Sequence, residues 1–146
     1  MMDGFGFPVS AGKFRFRAES RIVRRLTRNL DPNGVTLDLG CGIGYWAEQF
    51  AHDFSRVVAV EGSRKLYQAL KERCARYPNV RTVFSNVLSF ELDGKYDLVF
   101  LGGLLMYLDE SDVITLLQRL APCLAPGGII LCRESTVRGE TVTQNG

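Results

Sequence analysis

One junction constrains this chain more than any other. Val35-Thr36-Leu37-Asp38-Leu39 reads as a strand, Gly40-Cys41-Gly42-Ile43-Gly44 follows without a spacer, and a helix runs from Tyr45 to Asp53. Glycines at a strand-to-helix turn let the backbone bend tightly, and a ligand can approach main-chain N–H groups with no Cβ in the way. The helix start adds the positive end of its dipole, suited to a carboxylate or phosphate. In open α/β sheets, ligands bind beyond the carboxyl ends of the strands, where this loop falls.

The rest of the chain repeats the alternation. Arg56-Val57-Val58-Ala59-Val60-Glu61 is a second strand, and its unbroken apolar run suits a parallel strand covered on both faces. Ser63 is a candidate N-cap for a helix carrying Leu66, Leu70, Cys74 and Tyr77 as one stripe. Val80 to Ser85 and Tyr96 to Leu101 are the third and fourth strands. Asp109 to Leu124 reads as a helix with Val113, Leu117, Leu120 and Leu124 inward. Pro126-Gly127-Gly128 then turns into a fifth strand, Ile129 to Cys132. Such alternation specifies an α/β fold with a mainly parallel sheet, right-handed crossovers and helices on both faces.

Two-sided winding puts strand five outside strand four, where its apolar residues face an unprotected edge. Only 13 residues, Glu134 to Gly146, remain, too few for another crossover unit. The sequence is therefore expected to be one part of a longer chain. Within it, residues 1–146 form one domain, with 1–17 a leader or lid, 18–135 the core and 136–146 a tail.

A hydrophobic fraction of 46% over 146 residues suffices for one core and excludes a disordered chain. No apolar run approaches the roughly 20 residues of a membrane span, and the N-terminus lacks the apolar stretch of a secretory signal. A cytoplasmic location and no membrane partner are the expectation. Cys41, Cys74, Cys123 and Cys132 are far apart and form no CxxC pair. They read as reduced thiols, mostly small core residues, with no metal site and no disulfide framework.

Charge is unevenly placed. The net is +2, yet residues 1–30 hold seven Lys or Arg against Asp3 and Glu19. Such a segment could meet an acidic substrate, a nucleic acid or a membrane surface. The favoured reading is the solvated face of an amphipathic helix over 18–30, with Ile22, Val23, Leu26 and Leu30 sharing the opposite face.

The dinucleotide fingerprint G-x-G-x-x-G needs a third glycine at residue 45, which is Tyr45, so that reading loses its most specific feature. The segments VTLDLGCGIGYWAEQFA, VVAVEGS, KYDLVFLGGLLMYLDE and LAPGGIILCRES, in that order, resemble the class I S-adenosylmethionine-dependent methyltransferases. The resemblance covers residues 35–135. It implies a Rossmann-like, doubly wound fold, here lacking the last strands of the family's seven-stranded sheet. It also implies S-adenosyl-L-methionine as cofactor.

The same resemblance assigns roles. Gly40 and Gly42 match the loop beneath the methionine part of the cofactor, and Asp38 matches the acid that helps hold its ammonium. Glu61, with Gly62 beside it, matches the acid that accepts from both ribose hydroxyls; a carboxylate offers acceptors to both. Asn86 and Val87 match the adenine-recognising pair, with asparagine where aspartate is common. Leu101 matches the residue whose carbonyl meets the amino group, and Gly102-Gly103 leave space where the methyl group points.

The expected reaction is in-line methyl transfer to an N or O nucleophile of a small molecule. A non-catalytic scaffold, or a protein or RNA methyltransferase, is the alternative. No general base is evident: His52 lies at the far end of its helix from the strand ends. Tyr107 and Glu134 are candidates for the substrate pocket, the first to orient an acceptor and the second to bind a cationic amine. Phe14 and Phe16 could belong to a lid or pack on the sheet.

Overall fold

A computed structural model describes residues 9–135. Its elements are α1 (Val9–Thr27), β1 (Val35–Leu39), α2 (Tyr45–Asp53), β2 (Arg56–Glu61), α3 (Arg64–Cys74), β3 (Val80–Phe84), β4 (Tyr96–Gly102), α4 (Glu110–Leu120) and β5 (Leu124–Arg133). Short 3-10 turns cover Leu105–Tyr107 and Ala121–Cys123. The strands form one parallel sheet in the order β3-β2-β1-β4-β5. The chain winds outward in both directions from β1, a doubly wound α/β fold.

Alternation along each strand feeds two cores. Ala59, Leu98 and Phe100 pack with Val23 of α1, Phe50 of α2 and Leu70 of α3. Leu37, Leu39, Val60 and Val99 pack with Leu116 and Leu120 of α4 on the opposite face. The inward face of α4 is turned relative to the expected stripe: Leu116 and Leu120 are buried, whereas Leu117 is half-buried. Arg119 on the same helix donates to the Leu88 and Phe90 carbonyls, so the helix-free connection between β3 and β4 is tied down.

Four expectations are corrected. The first helix begins at Val9, so the boundary set at residue 17 falls inside α1; the leader before Val9 lies outside the described residues. Its inner face is also different. Phe16, Ser20, Val23 and Thr27 turn inward, while Ile22 and Leu26 are exposed. Hydroxyls can line that face because each is satisfied: Ser20 Oγ donates to Gln49 Oε1 at 3.0 Å and Thr27 Oγ1 to the Val23 carbonyl at 3.0 Å. Phe16 supplies the apolar contact, its ring 4.8 Å from that of Trp46.

The fifth strand starts at Leu124, before the Pro-Gly-Gly segment. The register passes from Tyr96↔Leu124 to Leu98↔Ile129, so that segment is an irregularity inside the strand. Gly128 lies so close to β4 that a Cβ there would sit 2.7 Å from the Tyr96 carbonyl oxygen. Among the described residues β5 pairs only with β4, at the edge where the winding rule placed it. The cysteines also differ from expectation. Only Cys74 is buried, Cys41 and Cys123 are half-buried, and Cys132 is exposed.

Candidate functional site

The glycine loop leaves β1 at the carboxyl end of the sheet. Gly40, Gly42 and Gly44 all have positive φ, at 67°, 59° and 88°. This left-handed backbone strains any residue with a Cβ. Two positions show different needs. A Cβ at Gly44 would lie 2.6 Å from Leu70 Cδ1, whereas one at Gly42 would meet nothing within 4 Å. Gly44 is thus required for packing, and Gly42 borders open space.

Neighbouring strands hold the loop. The Gly40 and Cys41 amides donate to the Val60 carbonyl at 2.9 and 3.1 Å. The Gly42 amide donates to Glu61 Oε2 at 2.8 Å, and the Ser63 amide to Glu61 Oε1 at 2.7 Å. Glu61 is buried, and both of its oxygens organise main chain before any ligand arrives. Each still has a lone pair to offer. The sequence did not reveal this second duty of Glu61.

Asp38 stands on β1 behind the same loop. Its Oδ2 is buried and accepts no hydrogen bond. Burial, reinforced by the charge of Glu61, pushes its carboxyl up to about 8. The same burial, with Asp38 and Glu61 nearby, raises the Cys41 thiol and keeps it un-ionised.

From the β3 side, Asn86 is exposed, and its Oδ1 accepts the Leu88 amide at 2.8 Å in a local turn. Val87 is half-buried against the second core. Gly62 is exposed beside Ser85. Leu101 buries its side chain, and Gly102 follows in register with Arg133.

Two pocket candidates meet in one loop. Glu134 Oε1 accepts the Leu104 and Leu105 amides, each at 3.0 Å, which fixes the start of the turn that carries Tyr107. Its Oε2 is buried without a partner. Tyr107 is 77% exposed, which excludes a core-filling role for its ring. His52 is exposed at the distal end of α2, with its ring 5.3 Å from that of Tyr77.

Arg73 was not visible as a site residue in the sequence. It donates to the Ile43 carbonyl at 2.9 Å and to Glu48 at 3.0 Å, and its guanidinium lies 3.9 Å from the centre of the Tyr45 ring. The glycine loop is thereby clamped to α3. Glu48 also accepts from Arg76 and Tyr77. Burial alone would raise it, but these three donors hold it down to about 2.

The chain that carries this loop matches known proteins. The family model described as "Methyltransferase domain" matches residues 36–128. The chain belongs to the class I S-adenosylmethionine-dependent methyltransferases. Phosphoethanolamine N-methyltransferase 1 of Triticum aestivum is 35% identical over 105 residues, covering 69% of this methyltransferase chain and 21% of the relative. Ribosomal RNA small subunit methyltransferase A of Thermotoga petrophila is 35% identical over 75 residues, covering 50% of this chain and 29% of the relative. Among solved structures, phosphoethanolamine N-methyltransferase 1 of Haemonchus contortus, with phosphoethanolamine and S-adenosylhomocysteine, aligns with a TM-score of 0.73. It is 26% identical and covers 85% of this chain and 28% of that one. The methyltransferase chain thus spans between a fifth and a third of the length of these relatives.

Proposed function

We propose that this chain binds S-adenosyl-L-methionine and transfers its methyl group to an N or O nucleophile of a small molecule. The observation that carries the reading is the orphaned Oδ2 of Asp38, buried beside a second carboxylate at a glycine loop. A dinucleotide fits poorly, because Tyr45 stands where its fingerprint needs a third glycine and the Glu61 carboxylate already takes the Gly42 amide of the loop that would cradle a pyrophosphate. A nucleoside bearing an ammonium and free sugar hydroxyls meets both needs. The residues present therefore fit this cofactor.

In this reading Asp38 receives the ammonium and becomes ionised. Glu61 keeps its two backbone donors and accepts from the sugar hydroxyls with its remaining lone pairs. Gly42 leaves room for the methionine portion, and Gly40 holds the turn next to it. The Leu101 carbonyl accepts from the amino group. Asn86 and Val87 border adenine; because Asn86 Oδ1 already accepts one amide, its side-chain NH2 is the freer group. Gly62 carries the chain past the sugar, and Gly103, where a Cβ would meet nothing within 4 Å, leaves the methyl side open. The expectation of space at Gly102 is corrected, because a Cβ there would lie 2.6 Å from Phe100 Cε1.

S-adenosylmethionine supplies a methyl group that its sulfonium already makes electrophilic. The protein's task is alignment and exclusion of water, and alignment alone is worth up to about 7–11 kcal/mol. Glu134 fixes the loop beside the acceptor, and exposed Tyr107 orients it. An amine arriving neutral needs no strong base, which agrees with the distal place of His52.

Among the described residues no helix is long and apolar enough to cross a membrane. With four free cysteines, this supports a cytoplasmic location. The test is release of S-adenosylhomocysteine during incubation with S-adenosylmethionine and panels of small amines and alcohols. Release with a small acceptor supports the proposal. Cofactor binding without turnover on any panel favours the scaffold alternative.

A further inference from the structure

The outward surface of α1 carries two parallel rows that the fold leaves unpartnered. Arg17, Arg21 and Arg25 recur every four residues, are exposed, and make no ion pair or side-chain hydrogen bond among the described residues. One residue out of step, about 100° round the helix, Phe14, Ile22 and Leu26 form an apolar row. They are 72%, 60% and 55% exposed.

This face is held outward rather than left loose. On the inner side Arg133 donates to both oxygens of Glu19 at 3.0 and 2.7 Å, Arg24 pairs with Asp53 at 3.1 Å, and Val23 is in the core. Rotating α1 to hide Ile22 and Leu26 would break all three contacts. The apolar row is therefore a fixed surface feature beside a fixed cationic row.

We infer that this face of α1 docks peripherally on an anionic lipid surface, arginines on headgroup phosphates and the apolar row among the upper acyl chains. Charge and shape select this occupant. A basic helix with an adjacent apolar stripe is suited to lie in the plane of a bilayer interface. RNA would take the arginines, but it binds apolar surface by stacking bases on rings. Phe14 has one, but Ile22 and Leu26, two of the three residues in the row, have none. A second copy related by a two-fold axis would bring the arginine row against itself or against the apolar row, and either leaves the cations without a partner. The expectation of no membrane partner rested on the lack of a spanning segment, and surface docking needs none.

The experiment is co-sedimentation of the full chain with phosphatidylcholine vesicles, either pure or containing about a third phosphatidylglycerol. Two double variants are compared, Arg17→Glu with Arg21→Glu and Ile22→Ser with Leu26→Ser. These positions are exposed, so unchanged thermal midpoints certify the fold. The expected result is binding to the anionic vesicles only, weakened at least tenfold by each pair and by added salt. Equal binding to both vesicle types, or none, overturns the inference. So does tighter binding to single-stranded RNA that ignores the serine pair, or a dimer that the serine pair dissolves.

Discussion

The Gly42 amide donates to Glu61 Oε2 across 2.8 Å, tying the middle of the glycine loop to the end of β2. A residue matched by resemblance to a sugar-binding acid is thus also the brace of the glycine loop. In the proposed reading, binding and loop order are coupled through one carboxylate.

Glu61→Gln separates these duties only in part. An amide offers one oxygen and one NH2, so either the Gly42 or the Ser63 amide faces a donor instead of an acceptor. The loss of that hydrogen bond lowers stability by about 1–3 kcal/mol. Thermal unfolding without ligand checks this, and an unchanged midpoint would contradict the bracing role.

Asp38 makes stability depend on pH. Its carboxyl lies at about 8 in the fold against 3.8 in the open chain, chiefly through burial and then through Glu61. The fold therefore holds the proton more tightly than the unfolded chain does. The associated stability is complete below about 3.8 and declines as pH rises to about 8. Denaturant midpoints across this window fall with rising pH, and Asp38→Asn flattens the trend. Ligand binding that ionises Asp38 releases a proton at neutral pH. Calorimetry in two buffers of different ionisation heat reads that release.

Gly42→Ala and Gly44→Ala part company. Both place a Cβ in left-handed backbone, at a cost of about 1–2 kcal/mol. Gly44→Ala adds overpacking of about 1–3 kcal/mol, because its Cβ lands 2.6 Å from Leu70 Cδ1. Gly42→Ala meets no protein atom within 4 Å and instead narrows the ligand's space. Stability drops more in Gly44→Ala, while cofactor affinity drops more relative to stability in Gly42→Ala.

Glu134→Ala frees the Leu104 and Leu105 amides that its Oε1 now accepts. The loop carrying Tyr107 loses its anchor, but the glycine loop keeps all of its own contacts. Turnover falls about tenfold, equivalent to about 1.4 kcal/mol, with cofactor affinity nearly unchanged. A parallel loss of both would place Glu134 in the cofactor site instead.

Much of this was legible in the sequence because strand period and glycine placement are local signals. β1, β2 and α2 fall where their apolar runs and caps put them, and β5 takes the edge that two-sided winding requires. The failures arise where tertiary contacts override pattern. Ile22 and Leu26 look inward by periodicity, yet satisfied hydroxyls of Ser20 and Thr27 and the ring of Phe16 take that face. Pro126-Gly127-Gly128 reads as a turn, but close approach to β4 absorbs it into a strand. At the site, residue types mark Asp38 and Glu61. Their interplay with loop amides depends on distances between β1 and β2 that no linear pattern encodes.

Calorimetric titration with S-adenosylmethionine, run on the parent chain and on Glu61→Ala, tests the central claim most directly. The account predicts one site in the parent and at least a tenfold weaker one in the variant. No binding by the parent, or equal affinity in both, would contradict it.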